Sequence, residues 1–375
     1  MNNRSHEIGR ILYAGNQFAL RNEINGMTVY NRFDNTFRFY EGLLIEDVEE
    51  ELDRESEIAV IRLMRENQEH LTKNMQSENP LNICWMVSGI CNLDCIYCFA
   101  ENKMVRKKSG KTETDDRFEI LNQVLSLKPI SMVLSGGEPT LNPNLADILR
   151  FCNGKVCVIL DTNGTTPQLE KLITTIMETH TTVRLTVDIL DDEILNTVRP
   201  RFRSGLSDGD ADPFPQSEIL KKNIRALTDA GIPLVIHTVL TRYNIGKLET
   251  TAEMLIRSGA KEWFFYPVNY SLKCKDFFDE IKVSRKEACE YVDTLAEKFG
   301  DQMKITCPRN DVGFRERCVL LVDHRGRFYV DTVDHGPIFL GEDPTHPQKT
   351  EIMAHFDFDL HKQTYLCNFW QIANQ

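Results

Sequence analysis

Apolar and polar positions along this 375-residue chain follow two regimes. Up to about residue 78, short alternating runs at 17–20, 27–31 and 36–40 are separated by Asn-Gly and Asp-Asn turn signals, a pattern that predicts a small antiparallel sheet. Ile58, Ile61, Met64 and Leu71 then form an incomplete apolar stripe among charged residues, as on a helix with one packed face and one wet face. From residue 81 the pattern changes. Ile83, Cys84, Trp85, Met86 and Val87 make an apolar run that stops at Ser88-Gly89, which predicts a buried strand. Helical patterns at 115–127, 144–152, 167–179, 216–230 and 248–258 are followed in turn by strand patterns at 130–134, 155–160, 183–189, 233–240 and 262–268. This rhythm predicts an α/β architecture with a parallel sheet and right-handed crossovers, six strands counted from Ile83. The stretch between Pro200 and Pro215 is rich in Gly, Asp, Ser and Pro and too polar to pack, so it reads as a mobile loop. Its alternating Asp208, Asp210 and Asp212 lack the other ligand positions and closing Glu of a calcium loop. Past Cys274, the runs 318–323 and 326–331 predict a β-hairpin.

Composition narrows the functional classes. A net charge of −12 gives a field that does not favour nucleic acid. The opening segment has no apolar signal core and no run approaches a membrane span, so a soluble cytoplasmic protein without a membrane partner is expected. Eleven cysteines in such a chain point to metal binding or packing rather than disulfides. Cys84, Cys152 and Cys157 lie in apolar runs and are expected in the core, while the basic run 103–111 reads as a solvated loop.

Cys91, Cys95 and Cys98, spaced C-x3-C-x2-C, fall just past the first predicted strand's carboxyl end, where parallel α/β folds place their chemistry. Tetrahedral zinc or a closed four-iron cluster takes four ligands, and no fourth Cys or His lies nearby. Three soft ligands imply a centre with one open position. The second strand ends in Ser135-Gly136-Gly137-Glu138-Pro139-Thr140. There the glycines allow close backbone approach to a ligand, Pro139 stiffens the exit and Glu138 offers an acceptor for a cation. The third strand ends in Asp161-Thr162-Asn163-Gly164-Thr165, the fourth carries Thr186 and Asp188, and Arg199 follows the next helix. His237, on the fifth strand, reads as structural.

The C-x3-C-x-aromatic-C pattern, with Tyr97 before the last cysteine, and the Gly-Gly-Glu-Pro that follows resemble the signature of the radical S-adenosylmethionine (radical SAM) enzymes. The resemblance implies a partial (β/α)6 barrel over residues 79–272. In that family three cysteines hold a [4Fe-4S] cluster, its fourth iron chelates the methionine part of SAM, and an electron from the cluster releases a 5'-deoxyadenosyl radical. Carried onto this chain, Cys91, Cys95 and Cys98 hold the cluster, and Gly136, Gly137 and Glu138 receive the SAM amino group. Thr186, replacing the usual Ser, and Asp188 contact the ribose, Arg199 pairs with the carboxylate, and the 235–241 strand closes over the adenine. A flavodoxin or ferredoxin is the implied electron donor.

The flanks resemble the family less closely. Residues 1–78 form a small α+β module similar to the winged-helix leader-binding element of peptide-modifying relatives, which captures its precursor by strand addition; a plain cap on the barrel is the other reading. Residues 273–375 resemble a SPASM/twitch-like extension, but Asp331 stands where the second cysteine is usual, and Cys307, Cys318 and Cys367 are scattered. The extension is therefore expected to keep its hairpin without clusters, the alternative being three cysteines and one oxygen on a single cluster. The implied activity is hydrogen abstraction from a ribosomally made peptide. Radical chemistry on a small metabolite or nucleotide is the first alternative, and a cluster-bearing redox sensor without turnover is the second.

Overall fold

The computed structural model describes residues 6–98, 117–201, 215–308, 319–330, 338–341 and 347–366. Cys318, Asp331, Cys367, the 103–111 basic run and Asp208, Asp210 and Asp212 lie outside them.

Strands β1 (Ile11–Ala14), β2 (Phe18–Asn22), β3 (Gly26–Asn31) and β4 (Thr36–Glu41) pair antiparallel in sequence order. Helix α1 (Ile45–Glu66) packs Ala59, Val60 and Leu63 against Phe18, Leu20 and Val29, and β5 (Leu71–Thr72) then adds to β4. The three expected strands are β2, β3 and β4. Leu71, expected on the helical stripe, instead sits in β5, because the helix ends at Asn67, whose main-chain N–H and side-chain amide both donate to Leu63 O.

The second sheet has ten strands in the order β12-β11-β10-β9-β8-β7-β6-β13-β14-β15. Its parallel series is β6 (Asn82–Ser88), β7 (Ser131–Gly136), β8 (Cys157–Thr162), β9 (Thr182–Thr186), β10 (Leu234–Leu240), β11 (Glu262–Pro267) and β12 (Lys304–Thr306). Between them lie α2 (Arg117–Ser126), α3 (Leu145–Cys152), α4 (Gln168–Glu178), α5 (Asp192–Val198), α6 (Gln216–Asp229) and α7 (Glu249–Arg257); α8 (Phe278–Ile281) and α9 (Arg285–Phe299) precede β12. The predicted strands and helices of this region are all present, and the sheet extends beyond the expected six at both edges. β12 adds alongside β11. On the far side β13 (Leu320–Val322) pairs parallel to β6 and forms the expected hairpin with β14 (Phe328–Val330), which β15 (Ile338–Phe339) extends. The described strands form an open mixed α/β sheet rather than a closed barrel. No described helix is long and apolar enough to cross a membrane.

The strand alternation gives the sheet two unlike faces. Ile83, Trp85, Met132, Leu134, Val158, Leu160, Val183, Leu185 and Ile236 enter the main core with the helices. Their neighbours Cys84, Val133, Ile159, Asp161, Arg184 and His237 line a cavity instead. Cys152 and Cys157 are buried as expected, whereas Cys84 is half-buried at that cavity. The reason is parity: one residue's shift along β6 exchanges the core face for the inner face.

The amino ends of β6, β7 and β8 rest on the first sheet. Leu81, Ile130 and Cys157 pack with Ala19, Tyr30, Phe37 and Phe39. Beside them Arg21, fully buried, donates from Nη1 to Pro80 O and Lys128 O (2.8 and 2.7 Å) and from Nε to Glu23 (2.8 Å). Helix α11 (Phe358–Leu366), which follows α10 (Lys349–His355), seals the same end. Its His361 Nε2 accepts from Leu81 N–H at 2.9 Å, and its Lys362 donates to Met75 O at 3.0 Å.

Replacing Arg21 strands the buried Glu23 carboxylate, so Arg21→Met is expected to cost about 3–5 kcal/mol in urea unfolding. Arg21→Met/Glu23→Gln should recover part of that loss, and equal losses in both variants would rule out the charge explanation.

Candidate active site

All the predicted site residues lie at the carboxyl end of the parallel strands, opposite the first sheet. The loop after β6 is fixed there by main-chain contacts. Gly137 N–H donates to Ser88 O and Glu138 N–H to Ile90 O, both at 2.7 Å. Gly136 has φ +131°, and a Cβ on it would collide with Ser88 O; one on Gly137 would collide with Ile90 O. The backbone that these glycines admit is therefore that of the cysteine loop itself. The far side of the loop is tied to the exit of α5, with Asp94 N–H on Pro200 O (2.7 Å) and Ile96 N–H on Val198 O (3.0 Å).

Glu138 is fully buried. Its Oε1 accepts from Thr140 N–H (3.1 Å), Thr140 Oγ1 (2.6 Å) and Thr162 Oγ1 (2.7 Å), and its Oε2 accepts from Asn163 N–H at 2.8 Å. The carboxylate thus joins the β7 exit to the β8 exit. Burial raises its pKa, and these donors oppose that rise. Asn163 is placed in turn to donate from Nδ2 to Asn92 Oδ1 (2.8 Å) and, more weakly, to Cys91 Sγ (3.7 Å). Asp188, also fully buried, accepts from Tyr97 Oη on the cysteine loop and from Val239 N–H at 2.9 Å.

Arg199 is fully buried, donating from Nη1 to Thr186 O (2.6 Å) and from Nη2 to Asn163 O (2.7 Å); its Nε has no hydrogen-bond partner among the described residues. Burial pushes the Cys95 thiol well up; the Arg199 cation opposes the rise and the Cys98 and Cys91 sulfurs add to it. Metal binding here therefore has to drive off a proton. Among the described residues no three His, Cys, Asp or Glu side chains are grouped to hold a metal ion.

Two cavities meet in this region. The first, about 290 Å³, is lined by Cys95, Cys98, Tyr97, Thr186 and Arg199, with Asn163, Val239, Tyr266, Val268 and Asn269 completing it. Of the residues singled out in the sequence, Cys95, Tyr97, Cys98, Asn163, Thr186 and Arg199 reach this wall. Cys91, Gly136, Gly137, Glu138 and Asp188 stand behind it as its supports. The second cavity, about 260 Å³, occupies the inner face of the sheet. Tyr266 lines both, and His237 lies in the second, its Nδ1 3.4 Å from Tyr266 Oη. Sequence analysis missed Asn269, Arg184 and the lumen role of Asp161. The signal available was the alternation of β9 and β11, which puts Arg184, Thr186 and Tyr266 on the inner face.

At the carboxyl end of the parallel α/β sheet, the cysteine loop thus shares one cavity with a buried arginine. Residues 85–255 match the family model of the Radical SAM superfamily. The AdoMet-dependent heme synthase of Methanosarcina barkeri is 30% identical over 186 residues, 48% of each chain. The mycofactocin maturase MftC of Mycobacterium ulcerans is 24% identical over 184 residues, covering 48% of this chain and 46% of that one. The chain spans about half the length of these curated relatives. The crystal structure of Streptococcus suis SuiB bound to precursor peptide SuiA superposes with TM-score 0.62 at 12% identity, covering 93% of this chain and 89% of that one, which shows the shared fold.

Gly137→Ala is expected to push the cysteine loop off the β7 exit, and amide exchange at Glu138 should accelerate while exchange in β10 stays unchanged. Loss of protection throughout the sheet would instead mean general unfolding. Burial, aided by the Arg184 cation, holds the His237 imidazole well below 6.5. A base depressed in the folded state contributes stability above its unfolded pKa and loses it as pH falls below that value. Between about pH 7 and pH 5 wild-type stability should therefore fall more steeply than that of His237→Phe. Parallel curves would show that His237 titrates normally.

Proposed function

We propose that this chain cleaves S-adenosylmethionine reductively and removes a hydrogen atom from a residue of a ribosomally made peptide. The observation that carries the reading is the buried Arg199 Nε, without a partner among the described residues, on the wall of a cavity shared with Cys95 and Cys98. A buried guanidinium with an unused donor suits a carboxylate. The thiol set fits a polynuclear cluster, whose sulfur ligands reach separate irons and need not converge on one point. Val239, Val268 and Tyr266 supply an apolar wall for a planar base.

Cys91, Cys95 and Cys98 would hold a [4Fe-4S] cluster, the main chain at Gly136, Gly137 and Glu138 the SAM amino group, Arg199 its carboxylate, and Thr186 a ribose hydroxyl. When bound, the cluster and SAM supply one-electron chemistry that ends in hydrogen-atom removal from the substrate. The protein's own contribution is placement. Glu138 locks the exits of β7 and β8, Asp188 holds Tyr97 against the cavity and so acts on the ribose end through it, and the surrounding apolar side chains keep out water. A flavodoxin or ferredoxin is the proposed electron donor.

A peptide substrate is supported by the likeness to a maturase and by a fold shared with a protein crystallised with its precursor peptide. The modest lumen, about 260 Å³, favours the second reading, a small metabolite or nucleotide. The N-terminal sheet, residues 1–78 in the proposed division, then serves as the floor of the core (79–272) and the tail (273–375) as its seal. Cys307, which packs 3.8 Å from Cys289 with its thiol pushed up by burial, supports a tail whose cysteines pack rather than bind metal.

Anaerobically reconstituted protein is expected to bind four irons per chain and to form 5'-deoxyadenosine on reduction with SAM. Changing Cys91, Cys95 and Cys98 together to Ala should abolish both, and 5'-deoxyadenosine from that variant would defeat the proposal. Arg199→Leu should keep its iron and bind SAM more weakly by about tenfold or more.

A further inference from the structure

The second cavity has a composition of its own. Its polar wall centres on Arg184 and Asp161, facing residues on neighbouring strands, with Arg184 Nη2 2.5 Å from Asp161 Oδ2 and Nε on the other carboxylate oxygen. The pair sums to zero charge. Arg184 Nη1 makes no hydrogen bond to any described residue, so it remains a donor at the wall. A second donor comes from the first sheet. Asn35, 4% exposed, accepts at Oδ1 from Tyr30 Oη at 2.6 Å, while its Nδ2 has no partner among the described residues. Buried donors are rarely left unmatched unless a ligand or water completes them. The remaining wall is apolar or neutral: Phe37, Val133, Ile159 and the uncharged His237.

A bare anion here would sit buried beside a charge that Asp161 already balances, and a bare cation would compete with Arg184 for that carboxylate. A neutral group carrying one carbonyl and one N–H satisfies the wall without disturbing the pair. We infer that this lumen binds a neutral amide-bearing group the size of one amino-acid residue, with Arg184 and Asn35 donating to its carbonyl and Asp161 accepting from its N–H. The site lies next to the cofactor cavity across Tyr266, which lines both. Its floor is made by Asn35 and Phe37 of the first sheet and by Thr364 and Tyr365 of α11, so both ends of the described chain take part in recognition. The inference rests on the proposed function only for the source of the amide, a peptide.

The test uses saturation-transfer NMR on the full chain with three probes: N-acetylalanine amide, N-acetylserine amide and uridine, whose base carries a similar carbonyl and N–H edge. Asn35→Asp keeps the acceptor for Tyr30 and suits the left-handed backbone at φ 52°, but turns the unmatched donor into an acceptor. Val133→Phe fills the lumen without touching its polar groups. Wild type is expected to bind both amides, Asn35→Asp to bind them at least about tenfold more weakly, and Val133→Phe to bind none. If Asn35→Asp does not fold, Val133→Phe decides. Wild type that binds no probe, or variants that bind as wild type does, would overturn the inference. Uridine binding that both variants lose, with no amide binding, would keep the site and reject the peptide reading.

Discussion

The open end of the sheet depends on the main-chain contact between the β7 exit and the loop after β6, where two N–H groups meet Ser88 O and Ile90 O over glycines that leave no room for a Cβ. The cysteines have no regular secondary structure of their own, so their positions are inherited from this contact and from the ties to Val198 and Pro200. Glu138 extends the constraint one strand further, because its four donors come from both neighbouring exits. Buried polar networks of this kind hold geometry tightly when every member is satisfied. Removal of one member leaves others unmatched.

The same economy runs across the cavity. Arg199 is gripped by carbonyls of Thr186 and Asn163, and Asn163 touches both Glu138 and Cys91, so the arginine and the cysteine loop share an intermediate. Asp188 repeats the arrangement through Tyr97 and Val239. Side chains that look like ligand contacts in the sequence can thus act one step back, by fixing the groups at the wall.

Much of this was legible in the sequence. The apolar runs of β6 to β11 stand out because strands covered by helices keep one face continuously apolar, and the cysteine spacing and the Gly-Gly-Glu run lie at strand ends where breakers mark the exits. What stayed hidden is tertiary. β12 is three residues long and acquires strand geometry only by pairing with β11, and the parallel pairing of the expected hairpin strand β13 with β6 has no local signal. The partnership of Asp161 with Arg184 depends on strand register, and the place of Asn35 in the lumen depends on a sheet packing that no local pattern encodes. The glycines were recognised as sites of close approach, yet only the structure shows which backbone approaches.

The floor of the lumen is joined by residues far apart along the chain, Leu81 with His361 and Phe37 with Tyr365. The main-chain ties of the cysteine loop, by contrast, all run to residues no later than Arg201, and Lys273 later adds a side-chain ion pair to Asp94 at 2.9 Å. At ordinary rates of synthesis the intervening chain takes on the order of ten seconds or more to emerge. The main-chain frame of the thiol loop is therefore synthesised well before the floor of the chamber beneath it, which stays open to solvent until α11 emerges to seal it.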